Sequence, residues 1–591
     1  MLDFKQNRLT YRELLAPPDG YVLTRAVGTT YSLDLYALLA VPVALFYQQS
    51  LQDSFKPERY EVLEAIRKSR ERVTLFCQRG KINLPEGFTS LLSLIEQRIV
   101  EVQPSEIHSS FHPKIWVLRF EKKKQVCYRL AVLSRNLTFD RSWDIAAFID
   151  GKPGRRSSAN GKVLGDFLSY LFRSTKTETD ARFIKDLSKI EFNVPDGFQS
   201  PELFPIVGKK QSAGFANPVL SCSYQKLLVM TPFSDADTIA ELKKNNKHIT
   251  LLSRKDELDA MPPATFNDMD VFYFNEVIRD AERTMDSEGG RVLSQDLHAK
   301  LFIGANKRKT EWLLGSANGT SAAMSKNVEF MVKFAAKSSQ ASFDIIKNAL
   351  TNQDTGIFRP YLPVNEIIEP KDKRKEYFLR KITFELGESV FKASVRQRKD
   401  QDTFDLQLEV DLGHIQSIDG LVLNVALLNR VEALQELHAG MENSLIFENI
   451  ALTRLSCFVA LGIEIDGIME SRLVVKAELA GMPLNREDAI FSDLINNKKS
   501  FYQYLQFILE PDGYDDLLEI IREDIEKNAS GTSAGTELSP PIYENLLIAA
   551  SRSRFKLTEI NQIMIRLEKL NSSVVADFQP IWDIFKKFAD D

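Results

Sequence analysis

Over the first 360 residues the hydrophobic pattern keeps switching between two periods. Short apolar runs read as strands: Arg72-VTLFCQ, Ile115-WVLRF, Arg129-LAVLS, Lys226-LLVM, His248-ITLLS and Lys300-LFIG. Between them lie helical stretches such as Pro57-ERYEVLEAIRKSRER and Asp235-ADTIAELKKNN. Such alternation predicts an α/β architecture. Phe358 to Glu376 then forms a boundary, with Pro360, Pro363, Pro370 and the charge run Lys371-DKRKE. Beyond it, Phe404-DLQLEVDL, Leu421-VLNVALL and Arg472-LVVKAEL alternate at period two and predict a β-rich, sandwich-like domain. From Asn485 onwards Phe501-YQYLQFIL, Asp515-DLLEIIREDIEK and Leu557-TEINQIMIRLEKL carry helix spacing, with the polar linker Lys527-NASGTSAGTELSPP among them. The apolar run Leu35 to Tyr47 is broken by Pro42. It is shorter than the ~20 residues of a membrane span, so a buried helix is expected.

Within the α/β part a repeat is visible. Arg72-VTLFCQRGK is matched by Lys247-HITLLSRKDE, His112-PKIWVLRF by His298-AKLFIG, Val132-LSRNLT by Leu314-GSANGT, and Asp144-IAAFID by Glu329-FMVKFA, always in the same order. The expected organisation is two duplicated α/β halves over 1–155 and 156–358, a β-rich domain over 377–480 and a helical region over 485–591.

Composition adds limits. A chain of 591 residues exceeds what one core organises. The four cysteines, Cys77, Cys127, Cys222 and Cys457, lie far apart without zinc spacing, which fits a reducing cytoplasm and predicts no metal site and no cofactor. The N-terminus carries charges where a signal peptide would be apolar, so a soluble cytoplasmic protein is expected. At a net charge of −5 the protein is no general polyanion binder; a polyanion would need a local positive cleft.

The repeat carries the chemistry. Of six histidines, two begin the only His-x-Lys triplets, His112-x-Lys114 and His298-x-Lys300, at equivalent points. Each is followed by Ser-x-Asn, Ser134 and Asn136 in one half and Ser316 and Asn318 in the other, and then by an acid, Asp144 or Glu329. This set suffices for phosphodiester cleavage without a metal. One neutral imidazole attacks phosphorus, and the other, protonated, serves the leaving oxygen. The lysines and asparagines, with the serines nearby, hold the non-bridging oxygens, and a carboxylate fixes each ring's tautomer.

The pattern resembles the phospholipase D superfamily, whose signature is HxK followed by Asp and GSxN. Tyr21 to Leu350 carries the resemblance, most closely at Leu297-HAKLFIG and Leu314-GSANGT; Leu133-SRN is looser. Arg119 and Ala305 stand where the family has Asp, so the form is similar to the His-Lys-Asn tyrosyl-DNA phosphodiesterase and nuclease branches. The resemblance implies a pseudo-dimer sharing one active site and a phosphohistidine intermediate. It also implies a nuclease, on DNA before RNA, similar in architecture to members found in phage defence.

Other residues have bland readings beside sharp ones. His108 reads as a loop histidine, with a substrate contact as the alternative. Trp116 and Trp143 read as core before stacking platforms. Arg119 and Arg135 could line a phosphate channel or turn away from it. Lys209, Lys210 and Lys243-KNNKH read as solvated clusters, and Asp286-SEGGR as a surface turn. Two other functions stay open: a nucleic-acid-binding scaffold that recruits a partner such as a helicase through its C-terminal half, and a phospholipid-acting enzyme. The latter is disfavoured because neither a span nor a basic amphipathic helix is evident.

Overall fold

The structure, a computed structural model, describes residues 11–46, 65–208, 217–275, 296–337, 342–364, 373–399, 402–495, 498–509 and 542–589, apart from 141, 179, 200, 308, 553 and 571. Lys209-Lys210, the stretch Asp286–Arg291, the stretch Asp515–Lys527 expected as a helix and the linker after it lie outside these residues, as does the first half of the stretch from Pro57.

The chain is mixed α/β. Its first seventeen strands are β1 (Val22–Thr30), β2 (Val73–Gln78), β3 (Ile99–Val102), β4 (Ile115–Lys122), β5 (Gln125–Leu133), β6 (Ser142–Trp143), β7 (Ala146–Pro153), β8 (Ile190–Phe192), β9 (Glu202–Val207), β10 (Lys226–Met230), β11 (His248–Ser253), β12 (Met269–Phe274), β13 (Asp296–Leu297), β14 (Leu301–Asn306), β15 (Lys309–Gly315), β16 (Val328–Lys337) and β17 (Phe358–Pro360). The first sheet has the order β3-β2-β1-β4-β5-β7-β8 and the second β17-β12-β11-β10-β14-β15-β16-β9. In the first, β1, β2 and β3 are parallel and β4, β5 and β7 continue antiparallel. In the second, β10, β11 and β12 are parallel and β14, β15 and β16 continue antiparallel. The same topology is therefore built twice. The first sheet draws on residues up to Phe192, well past residue 155, because β8 pairs with β7.

The two sheets share one core. Val27, Phe76, Ile115 and Val132 of the first are buried in one cluster with Met230, Leu301, Leu314 and Phe330 of the second. The helix Ala159–Ser174 fills the space between them, capped by the Ser158 hydroxyl, which accepts from the Gly161 amide at 3.0 Å. Its Phe167 meets Phe330 with ring centroids 5.2 Å apart, and its Phe172 meets Phe76 at 5.3 Å.

Residues after 373 complete the first sheet's outer layer. A helix, Lys373–Glu388, leads into a sandwich of two four-stranded sheets. Its strands are β18 (Phe391–Gln397), β19 (Thr403–Asp411), β20 (Leu421–Leu427), β21 (Gln435–Leu437), β22 (Glu442–Ala451), β23 (Phe458–Ile465), β24 (Ile468–Lys476) and β25 (Glu478–Ala480). On β19 Phe404, Leu406, Leu408 and Val410 are buried, one face of a period-two strand. Val474 of β24 donates its amide to Ile82 O at 3.0 Å, which pins the sandwich to the first sheet. The helices Lys498–Leu509, Ile542–Arg552 and Arg554–Leu570 then join the helix Leu35–Phe46 in one buried cluster, with Leu38, Leu45, Tyr504, Leu546 and Ile563 among its members. The counterpart Ala236–Asn245 begins on an aspartate in the same way, Asp235 for Asp34, yet it is amphipathic and turns Glu241 and Lys244 outward. The first of the pair is apolar along its length and packs against Tyr11–Leu15 and Leu91–Ile95 within that larger cluster.

A buried ion pair locks these parts together. Arg486 Nη1 lies 3.1 Å from Glu96 Oε2, both side chains under 10% exposed, while Glu96 Oε1 accepts from the Cys457 amide at 3.0 Å. Arg486 also donates to Leu455 O and Ser93 O. Removing one member leaves the other charge buried and unpaired. Glu96→Ala is expected to lower unfolding stability by about 3–5 kcal/mol, as read from urea midpoints. The double change to Glu96→Leu and Arg486→Met should cost clearly less, and an equal or larger loss would contradict the pairing.

Candidate active site

Both His-x-Lys triplets lie in extended segments just before a strand, His112 and Lys114 ahead of β4 and His298 and Lys300 ahead of β14. Each segment is held by the other half. His112 donates its amide to Val328 O at 2.9 Å, and Val328 donates to Ser110 O at 2.9 Å. His298 and Ala299 donate to Trp143 O at 2.8 and 3.0 Å, extending the parallel pair of β13 with β6. The residues before each acid therefore dock the opposite histidine. In both halves the lysine ammonium turns back to its own histidine's carbonyl, at 3.1 Å for Lys114 and 2.7 Å for Lys300. Lys300 Nζ also reaches Ser134 O at 3.4 Å across the interface.

The two serines brace the turns. The Ile145 amide donates to Ser134 Oγ at 2.9 Å and the Phe330 amide to Ser316 Oγ at 3.0 Å. Both serines, expected near the substrate, are fully buried and tie their turns to the segment that follows. Asn136 and Asn318 follow, each with a buried Oδ1 that has no hydrogen-bond partner. The next residue in each half bonds equivalently, the Leu137 amide to Thr30 Oγ1 at 3.0 Å and the Gly319 amide to Thr231 Oγ1 at 2.9 Å. The halves differ at Gly315, where a Cβ would stand 2.2 Å from Phe330 O; its counterpart is Leu133.

The acids do not behave alike. Glu329 is fully buried and its Oε2 lies 2.9 Å from His112 Nδ1, across the two halves. It also accepts from the Ser316 hydroxyl, and Asn327 Nδ2 donates to its Oε1 at 3.0 Å. The sequence leaves Asp144 open between a strand-edge acid facing solvent and a group that orients the other ring. Its Oδ2 lies 3.4 Å from Arg135 Nε, and no bond joins it to His298 among the described contacts. The His298 ring meets Lys300 Nζ, 3.4 Å from its Nδ1.

Burial and the crowding of cations govern the charge states. Burial pushes the His112 imidazole down to about 4, with Glu329 opposing and Lys114 and Lys300 reinforcing. His298 is pushed far below its ordinary range by burial, then by Lys300, Lys114 and His112. Lys114, 1% exposed, falls well below the lysine range by burial and by the neighbouring Lys300. Burial takes Lys300 down to about 7 against the pull of Glu329 and Asp144. For Glu329 burial acts upward, but His112, Lys114 and Ser316 outweigh it and hold the carboxylate below its usual range. Asp144 is raised by burial.

Several neighbours were not singled out from the sequence. The Tyr31 ring stands edge-on to His112, centroids 5.2 Å apart, with Lys81 and Lys114 5.7 and 5.9 Å from it. Its place directly after β1, opposite the His112 segment, was the available signal. Asn327, two residues before Glu329, has Ser142 as its counterpart, so the repeat could not flag it. Among the residues weighed earlier, His108 stacks on Tyr377 at 5.7 Å. Trp116 is core, bonded to Tyr11 Oη at 2.7 Å. Arg119 faces Tyr128 Oη and Thr24 along β4, away from the cleft. Lys243 caps the carbonyls of Thr265 and Asn267.

No family model matches the chain, and no curated protein matches it. Among solved structures it is similar to polyphosphate kinase from Porphyromonas gingivalis, with 14% identity and a TM-score of 0.31 over 62% of this chain. The match spans about half of that protein, 49% of its length. No helix among the described residues is long and apolar enough to cross a membrane.

The lysine shift has a stability consequence. Between about 7 and 10.5 the unfolded chain holds a proton on Lys300 that the folded chain has released. The unfolded state binds more protons there, so this group makes stability rise with pH across that window. Relative to Lys300→Met, the native chain should gain stability between pH 7 and pH 10, as read from urea midpoints; parallel curves would refute the shift.

Proposed function

We propose that this chain is a metal-independent phosphodiesterase of the phospholipase D type, acting on nucleic acid through a phosphohistidine, with its two halves forming a pseudo-dimer around one site. The observation that carries this is the cross-half assembly of two imidazoles and two buried ammonium groups, with the Glu329 carboxylate on His112. The duplicated sheet topology supports it.

The asymmetry of the acids divides the roles. Glu329 holds the proton of neutral His112 on Nδ1, so the Nε2 lone pair is the nucleophile. That nitrogen attacks phosphorus, the P–N bond forms and the P–O bond to the leaving group breaks. His298, without a carboxylate, supplies the proton to the leaving oxygen. The substrate's negative charge beside Lys114 and Lys300 raises the proton affinity of His298, so this ring takes up a proton from solvent as the phosphodiester binds. Lys114, Lys300, Asn136 and Asn318 hold the non-bridging oxygens, the asparagines through their amide N–H groups. Water then attacks the phosphohistidine, giving its proton to His298, and His112 is released. Glu329 is a positioning residue, and Ser316 and Asn327 position it in turn.

Cleavage of labelled DNA or RNA is expected to continue in EDTA. His112→Ala and His298→Ala should each lower turnover by several orders of magnitude; a near-native rate in either would remove that histidine from the mechanism. Phosphate trapped on substrate turnover should be found on His112 in the His298→Asn variant, and phosphate on His298 in His112→Asn would reverse the assignment.

The acids should separate likewise. Glu329→Gln is expected to lower kcat by roughly 100-fold or more, with KM little changed, because the wrong tautomer is favoured. Asp144→Asn should cost less than about tenfold. Equal losses would show that the two carboxylates do the same work.

A further inference from the structure

Five aromatic side chains are exposed among the described residues: Phe139, Phe148, Phe233, Tyr377 and Tyr543. Phe148 lies under the Arg129 guanidinium, 4.4 Å from its ring, and Tyr543 belongs to the C-terminal helices. The other three belong to segments that run into, or are bonded to, the His-Lys and Ser-x-Asn motifs. Tyr377 stacks on His108, four residues before His112. Phe139, 65% exposed, follows Asn136 on a turn that Arg135 braces by donating to Thr138 O and Asp140 O, each at 2.9 Å. Phe233, 37% exposed, accepts at its carbonyl from the Gly319 amide at 3.1 Å, directly after Asn318. Arg254 stands 5.2 Å from the Phe233 ring and reaches Asp296, two residues before His298, at 3.3 Å.

The sheet repeat places Phe139 and Phe233 in opposite halves, each beside that half's asparagine. An exposed phenylalanine has no hydrogen bond to offer, and holding it on a braced turn beside buried cations suits a flat partner that also carries phosphate. We propose that Phe139 and Phe233 are base-stacking platforms on the two sides of the paired histidines. The substrate is then a polynucleotide with unpaired bases, gripped by a base on each side of the phosphate to be cleaved. This rests on the phosphodiesterase function proposed above and names its substrate class. Stacking is tolerant of base identity, so the grip selects single strands without selecting sequence. A membrane is the poorer partner: Phe139 stands between Thr138 and Asp140, and Phe233 beneath an arginine, so neither belongs to a continuous apolar patch.

The test uses the full chain carrying His112→Asn and reads fluorescence anisotropy of a short single-stranded oligonucleotide and of an abasic strand with the same number of phosphates. The base-bearing strand should bind at least about 25-fold more tightly, since each of the two stacked bases contributes about fivefold or more. Phe139→Ala with Phe233→Ala should abolish that preference while leaving abasic affinity as a control on folding, and Phe139→Trp with Phe233→Trp should retain it. Equal affinity of the parent for both strands, or an undiminished preference in the double alanine variant, overturns the proposal. So does ring-dependent binding to phosphatidylglycerol vesicles without ring-dependent binding to the strand. His112-dependent hydrolysis of bis(p-nitrophenyl) phosphate separates the levels. If it is present without a base preference, only the stacking platforms fall; if it is absent and no strand binds, the phosphodiesterase falls with them.

Discussion

Two ammonium groups are buried against each other where the halves meet, and one fully buried carboxylate stands among them. Lys114 and Lys300 have carbonyls for company, which satisfy their hydrogens without cancelling their charge. An interior with this imbalance releases protons or admits an anion. The depressed proton affinities of Lys300 and both imidazoles are the first response. A phosphodiester between the lysines would be the second. Much of the surrounding architecture serves to hold this arrangement: the crossed docking of each histidine on the other half, the serine ties that fix the turns, and Glu329 reaching over to His112.

The doubled His-Lys and Ser-x-Asn pattern was legible because a repeat in register exposes equivalent residues whatever fold surrounds them. The strands were legible from their apolar periods, and the sheets reproduce them, with the His-Lys triplets lying just ahead of β4 and β14. A repeat cannot show which contacts cross between its copies. Glu329 and Asp144 are equivalent in sequence, yet one bonds a histidine and the other is drawn to Arg135, a residue whose counterpart, Ala317, carries no charge. That single difference breaks the symmetry of the site. The serine hydroxyls were read towards substrate for a related reason: spacing alone cannot tell that the amide of the following strand claims them first.

The C-terminal residues are integral to the α/β part. Glu96 and Arg486 share a buried bond although 390 residues separate them in the chain, and Lys476 donates its amide to Glu101 at 3.1 Å. The helix Lys373–Glu388 reaches the segment before His112, with Arg380 donating to Ile107 O at 2.8 Å and Gln103 donating to Phe384 O at 3.1 Å. The sandwich and the linker helix therefore bear on the approach to His112, an addition laid over a duplicated fold.

The helix Leu35–Phe46 carries a consequence for the birth of the protein. The buried cluster it belongs to is completed by helices that begin at Lys498, and a ribosome adding about 5–20 residues each second reaches them only after roughly 20–90 s. Through that interval the nascent chain displays a greasy helix with its buried cluster not yet complete. The cluster around this helix is thus finished long after the helix itself is made, so synthesis of this protein is a task for which a holding chaperone is well suited.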